Sequence, residues 1–357
     1  MRINVLTPGF TTSNGAALLF PLIIFEGALR EMSIEVRLVS RGDPRFMECD
    51  ILAIDSKEFR TEWRANTEGP PDLLSSWKDA GLRIFWFDTS DSTGTLQSAV
   101  MPFVEKYLKS QILADRDRYK KRIYGGRVIS EYYNHTAGVV DEIGGAVDEP
   151  IRAEDVSKLG VSWNSGLADY STYGPLKMGL YRRLGWNRFL RYPDVLSVPA
   201  TARSNDLSAR FGATYSRASV RYQREKISEM LSDRLDTLKL NRRGYMNELK
   251  NSKVVISPFG WGEITLKDFE VFLTGGMLMK PSVEHMDTWP NFYEKDATYL
   301  AHNWDLSDME ERIEWAIAHD RERQEIAAEG QLRYTEHTSG RDAGEKFATH
   351  VSEIFLV

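Results

Sequence analysis

The chain has 357 residues, of which 42% are hydrophobic and 27% charged, and it carries a formal net charge of −6. That length suits two globular domains, each able to bury its own core. The acidic balance excludes a general electrostatic attraction to nucleic acid, so no nucleic-acid partner is expected. The single cysteine, Cys49, excludes an intramolecular disulfide and a multi-cysteine metal site, and fits a reducing, cytoplasmic compartment.

Taken in order, Ile3–Thr7 reads as a buried strand closed by Pro8-Gly9. The apolar run Ala16–Phe25 is too short to span a bilayer and is closed by Glu26, so it predicts a helix of a soluble unit. Strands are predicted at Ile34–Ser40, Asp50–Ser56 and Leu82–Ser90, with helical character over Asp72–Gly81. This alternation predicts a parallel sheet covered on both faces, an N-terminal Rossmann-like domain over 1–150. Residues 151–205, rich in Gly, Pro, Ser, Trp and Tyr, read as a linker with loops. The rhythm resumes over 206–337 with strands at Leu207–Tyr215, Asp236–Leu240, Lys253–Gly260, Met277–Pro281 and Ala297–His302. Helices are predicted at Ser219–Ser232, Tyr245–Asn251, after Gly262, and as one long charged segment over Ser307–Gly330. Within 338–357 a last helix has an apolar face of Phe347, Val351, Ile354 and Phe355 that must dock on something.

The most informative stretch is Ser257–Gly276, "SPFGWGEITLKDFEVFLTGG". A strand ending in Gly260, a loop with Gly262 and a helix starting near Glu263 to Thr265 would present free N–H groups at the carboxyl edge of a sheet, an anion site suited to phosphate. Glu270, two turns beyond Glu263, would lie deeper along the same face, where it can accept hydrogen bonds from ribose hydroxyls. The plain alternative is a tight turn with Glu263 as a dipole partner.

With Asn247–Pro258 before it and Gly275–Pro281 after it, this stretch resembles the nucleotide-sugar-binding signature of GT-B glycosyltransferases of the group-1 and exostosin-like kind. Glu270 matches the second Glu of that family's E-x7-E element, Thr274-Gly275-Gly276 its small-residue end, and Met277–Pro281 the following strand. The first Glu is displaced: Gly262 stands eight residues before Glu270 and the carboxylate is next door, at Glu263. The resemblance implies two Rossmann-like domains facing across a cleft, with the C-terminal helix returning to the first. It implies a donor loop at Thr214 to Arg217, with Arg221 a turn later, and Asn14-Gly15 as a loop facing the cleft. Arg221 pairing with Glu225 on a solvated helix face is the alternative there.

For an acceptor, Asp88 and Asp91 follow a strand at the sheet's carboxyl edge, where a carboxylate can act as base, although both types also cap turns. His135, beside Tyr132 and Tyr133, is a further base candidate or a structural histidine. The basic, aromatic segment 176–192, with Lys177, Arg182, Arg183, Trp186, Arg188, Phe189 and Arg191, suggests peripheral contact with the inner face of a membrane, or merely a surface turn. No metal-ligand spacing occurs. The expectation is therefore a metal-independent hexosyltransferase without a cofactor, active in polysaccharide biosynthesis. It would use a UDP- or GDP-sugar as donor and a glycan, lipid-linked saccharide or small-molecule hydroxyl as acceptor. A nucleotide-sugar epimerase of the same fold and a non-catalytic sugar-nucleotide-binding module are the alternatives.

Overall fold

A computed structural model describes residues 1–65, 69–142, 149–168, 180–181, 183–184 and 190–355. The N-terminal unit runs β1 (Arg2–Leu6), α1 (Ser13–Ile24), α2 (Glu26–Glu31), β2 (Glu35–Val39), β3 (Ile51–Asp55), α3 (Arg60–Ala65), α4 (Gly69–Asp79), β4 (Ile84–Asp88), β5 (Lys106–Lys109), β6 (Gln111–Leu113), α5 (Val128–Ala137) and β7 (Leu159–Val161). Six of its strands form a parallel sheet in the order β2-β1-β3-β4-β5-β7. β3 and β4 are buried along their whole length because both sheet faces are covered.

The second unit runs β8 (Asn205–Ser208), α6 (Ala218–Met230), α7 (Arg242–Asn251), β9 (Ser252–Ile256), α8 (Leu266–Thr274), β10 (Met277–Pro281), β11 (Met286–Thr288), β12 (Leu300–His302), α9 (Met309–Ala318), α10 (Asp320–Thr338) and α11 (Ala343–Phe355). Its parallel sheet has the order β12-β10-β9-β8. α8 is closed at Thr265 by a reciprocal capping box with Asp268 and stopped at Gly275, whose φ of 69° is one that glycine adopts without strain.

The two α/β units and the returning last helix are thus present. Phe355 of α11 stacks on Phe85 of β4 at 5.1 Å, and Phe347 meets Phe25 at 5.3 Å, so the apolar face predicted for this helix is spent on the first unit. A single apolar cluster runs from Leu18, Phe87 and Trp163 to Phe269, Phe272 and Tyr334, joining the units through one core.

Three boundaries differ from expectation. Leu159–Val161 lies within the predicted linker, yet it pairs with β5 and adds the sixth strand, so the first unit reaches past residue 150. Asp236–Leu240 forms no strand; it is tied to the segment after β8 by Phe211 N donating to Thr237 O at 3.1 Å and Arg210 Nη1 donating to Leu238 O at 3.2 Å. The long charged helix is two, broken at His319. There Asp320 accepts from Gln324 Nε2 (2.6 Å) and from Arg323 and so opens a new first turn.

Candidate active site

In the second sheet β8 and β9 lie side by side and parallel, so their carboxyl ends open on the same edge. The crevice outside the carboxyl ends of such neighbouring strands is where open α/β sheets bind ligands. Arg224 of α6 spans it, donating through Nε to Phe259 O (2.7 Å) and through Nη1 to Gly212 O (2.9 Å). Its guanidinium lies 4.8 Å from the centre of the Tyr215 ring. Lys267, in the first turn of α8, donates to Arg210 O at 2.5 Å. Burial, aided by the Arg224 charge, pushes the Lys267 pKa down to about 7. Burial also lowers the Arg224 pKa, and burial together with the Arg217 charge lowers that of Arg127. Arg224 and Lys267 are thus buried cations near one sheet edge, with Asp268, Glu270 and Glu248 partly offsetting the cost at Lys267, and a bound anion would relieve the rest.

The first sheet reverses between β1 and β3, and its crevice has the opposite character. Asp55 lies there wholly buried, accepting from Thr7 Oγ1 (3.1 Å), Thr89 Oγ1 (2.9 Å) and Lys57 N (3.0 Å). Burial outweighs these bonds and raises its pKa. Beside it, an opening of about 50 Å³ is lined by Asn14, Ser90, Asp91, Ser110, Gln111 and Ser165, with Trp163 as an apolar wall. Asp91 is exposed and accepts from Asn14 Nδ2 at 2.7 Å.

The units meet at Glu263. Its carboxylate is wholly buried and accepts from Thr93 N (3.1 Å), Thr93 Oγ1 (2.6 Å) and Gln111 Nε2 (3.0 Å) of the first unit, with His285 Nε2 at 3.4 Å. Burial alone would raise its pKa, but the His285 and Thr93 contacts prevail and hold it below the usual value. A Cβ on Gly262 would stand 1.6 Å from Asp91 O, so only glycine permits this approach of the two backbones. Strands β6 and β11, one from each unit, pair antiparallel beside it.

No protein-family model matches the chain, and no curated protein sequence matches it. Among solved structures it is similar to Anabaena HepE in complex with UDP-glucose, at 11% identity over 99% of this chain and 100% of that one, with a TM-score of 0.43. A glycosyltransferase from Rickettsia africae is similar at 8% identity over 99% and 98%, with a TM-score of 0.45. The DNA-modifying β-glucosyltransferase is similar at 11% identity over 99% of each chain, with a TM-score of 0.46. Likeness at this level assigns neither a substrate nor a residue role to this chain.

Several expectations are corrected by the geometry. Asp88 is no base: it is buried against Lys109 Nζ at 2.6 Å and also accepts from Tyr107 OH (2.7 Å) and Ser90 N (2.9 Å). Burial works against its ionisation, but the Lys109 charge wins and lowers its pKa. His135 is exposed in the last turn of α5 and does not line the opening at Asp91. The free helix N-terminus expected after Glu263 is filled by the chain itself. Thr265 caps α8, and the buried Asp268 accepts from Thr265 N (3.2 Å), Ser257 Oγ (2.6 Å), Tyr293 OH (2.9 Å) and Lys280 Nζ (2.5 Å). Glu263 lies in the seam, outside that helix mouth.

Glu270 is held by Arg242 Nη1 at 2.5 Å, so a ribose would have to share it with that guanidinium. Arg217 donates to Gly125 O and lies 3.7 Å from buried Asp141, which accepts from Ser219 N (2.8 Å) at the start of α6. Arg221 pairs with Glu225 at 3.2 Å, the solvated-face alternative. Thr214 is exposed in the loop before α6, and Gly260 lies against Arg224, 3.6 Å from Nη2 to where its Cβ would be. Gly15 sits at the first turn of α1, its N–H donating to Thr12 Oγ1 at 3.1 Å. Within 176–192, Lys177, Arg182, Trp186, Arg188 and Phe189 lie outside the described residues. Among the described residues no helix is long and apolar enough to cross a membrane.

Arg224, Lys267, Gln111 and His285 escaped the sequence reading. Arg224 stood in the sequence as the next basic residue along the helix from Arg217 and Arg221. Only the helix turn tells which of the three faces inward.

Proposed function

We propose that the protein transfers a sugar from a nucleoside-diphosphate donor, a UDP- or GDP-sugar, to a hydroxyl of a saccharide acceptor. The observation that carries this reading is the contrast between the two sheet edges: buried cations, Arg224 and Lys267, on the second unit and an exposed carboxylate, Asp91, among hydroxyls on the first. A diphosphate suits the former, since a guanidinium can bind its oxygens in pairs. A neutral polyol suits the latter, where a phosphate would meet carboxylates.

In the reaction, Asp91 takes the proton of the acceptor hydroxyl as that oxygen bonds to the anomeric carbon. The bond from that carbon to the diphosphate breaks and its electron pair leaves with the diphosphate. Arg224 and Lys267 stabilise the charge developing there, so the transfer proceeds without a metal ion. Closure of the units over the bound sugar excludes water. Glu270 holds the ribose once Arg242 yields.

Incubation with UDP- and GDP-sugars and a panel of oligosaccharide acceptors, read by mass spectrometry, is expected to show donor consumption only with acceptor and a product heavier by one sugar. Interconversion of the donor sugar without acceptor would identify an epimerase instead, and donor binding without turnover a binding module. A second expectation follows from Lys267. Its cost to the fold is full below about pH 7 and fades as pH rises, because the unfolded chain then holds the extra proton. A bound diphosphate restores the charge, so nucleotide-sugar binding at pH 8.5 should take up about one proton and at pH 6 almost none. Calorimetry in buffers of different ionisation enthalpy measures this; equal heats at pH 8.5 would remove Lys267 from the site.

A further inference from the structure

A groove of about 340 Å³ opens between α5, α6 and the loop after β12. That volume lies within the range of small-ligand sites, roughly 300–1,000 Å³. Its walls are three half-buried aromatic rings, Tyr132 of α5, Tyr222 of α6 and Trp304 of the loop. Tyr132 and Trp304 meet edge to face at 5.1 Å. The walls are fixed from behind: Trp304 Nε1 donates to Ser282 O (2.7 Å), and Tyr133 OH donates to Trp304 O (2.8 Å) while accepting from Gln223 Nε2 (2.6 Å). A surface held in place before a ligand arrives loses little entropy on binding.

The rim carries the Thr136 hydroxyl, the Lys226 ammonium and the Asp305 carboxylate. One positive and one negative charge leave no net attraction for an ion, and Lys226 is already paired with Glu229 at 2.8 Å. Aromatic walls with donors and acceptors above them match a ligand that has apolar C–H faces and a fringe of hydroxyls. We propose that this groove is a second carbohydrate site, binding a neutral oligosaccharide apart from the reaction centre. It rests on the groove's own geometry and not on the transfer reaction. Since α5 belongs to one unit and α6 to the other, the bound sugar also bridges the units.

The probe is a panel of neutral linear gluco-, manno- and galacto-oligosaccharides of four to six residues, titrated calorimetrically into the full chain. Tyr222→Leu and Tyr132→Leu keep apolar bulk but remove a ring face, and thermal unfolding shows that each variant retains its fold. Wild type is expected to bind at least one panel member, and each folded variant to bind it about tenfold more weakly. Absence of binding by wild type to every member, or unchanged affinity in a folded variant, would overturn the proposal. Neither readout uses donor turnover, so failure here is separable from failure of the transferase reading.

Discussion

Asp91→Asn is expected to lower kcat about 10²- to 10⁴-fold, the contribution of a positioned general base, while leaving donor affinity within about twofold. The amide keeps the size of the side chain and its place beside Asn14 but cannot take a proton. Among the described residues, Asp91 is the only exposed carboxylate in the lining of this opening; Asp88 in the same lining is tied to Lys109. Steady-state kinetics with a saturating donor measure the effect, and Asp88→Asn serves as the contrast. That variant should fail through stability, since it leaves the buried Lys109 unpaired. A folded Asp91→Asn variant with kcat within a factor of three of wild type would reassign the base.

Lys280→Met should destabilise the protein by about 3–5 kcal/mol, the cost of leaving a buried charge without its partner. Lys280 and Asp268 are both wholly buried and 2.5 Å apart, and the Asp268 carboxylate also gathers Thr265, Ser257 and Tyr293. This group fixes the start of α8 and, through Lys280 Nζ donating to Glu263 O at 2.7 Å, the loop that reaches the seam. The double variant Asp268→Leu with Lys280→Met should recover part of the loss, because an apolar pair leaves no orphaned charge. Urea unfolding measures both, and a single variant that loses less than about 1 kcal/mol would show the pair to be water-accessible.

Much of the fold could be read from the chain because its central strands are continuous apolar runs. Ile51–Asp55 and Ile84–Asp88 are buried on both faces, and β10 falls on the predicted Met277–Pro281. β5 escaped because Lys106 and Lys109 interrupt its pattern, and Lys109 is tolerated inside only through Asp88. β6, β7 and β11 have three residues each, too few to show a period.

The site was half legible for a related reason. Glycine punctuation located the Gly260–Gly262 turn, because a close backbone approach leaves a trace in one residue. Which charges a pocket shares depends on contacts between distant segments. Glu263 with Thr93 is 170 residues apart and Arg224 with Phe259 35 apart, and no local pattern records either. Asp268, three residues after its cap, is the local signal that α8 closes its own N-terminus.

The account turns on a nucleoside diphosphate seated at Arg224 and Lys267. Calorimetric titration of UDP and of GDP into the wild type, Arg224→Met and Lys267→Met tests this most directly. One nucleotide should bind the wild type, and each variant should bind it about 10- to 100-fold more weakly, as expected for loss of a charge-assisted contact. Failure of both nucleotides to bind, or equal affinity in folded variants, would contradict it.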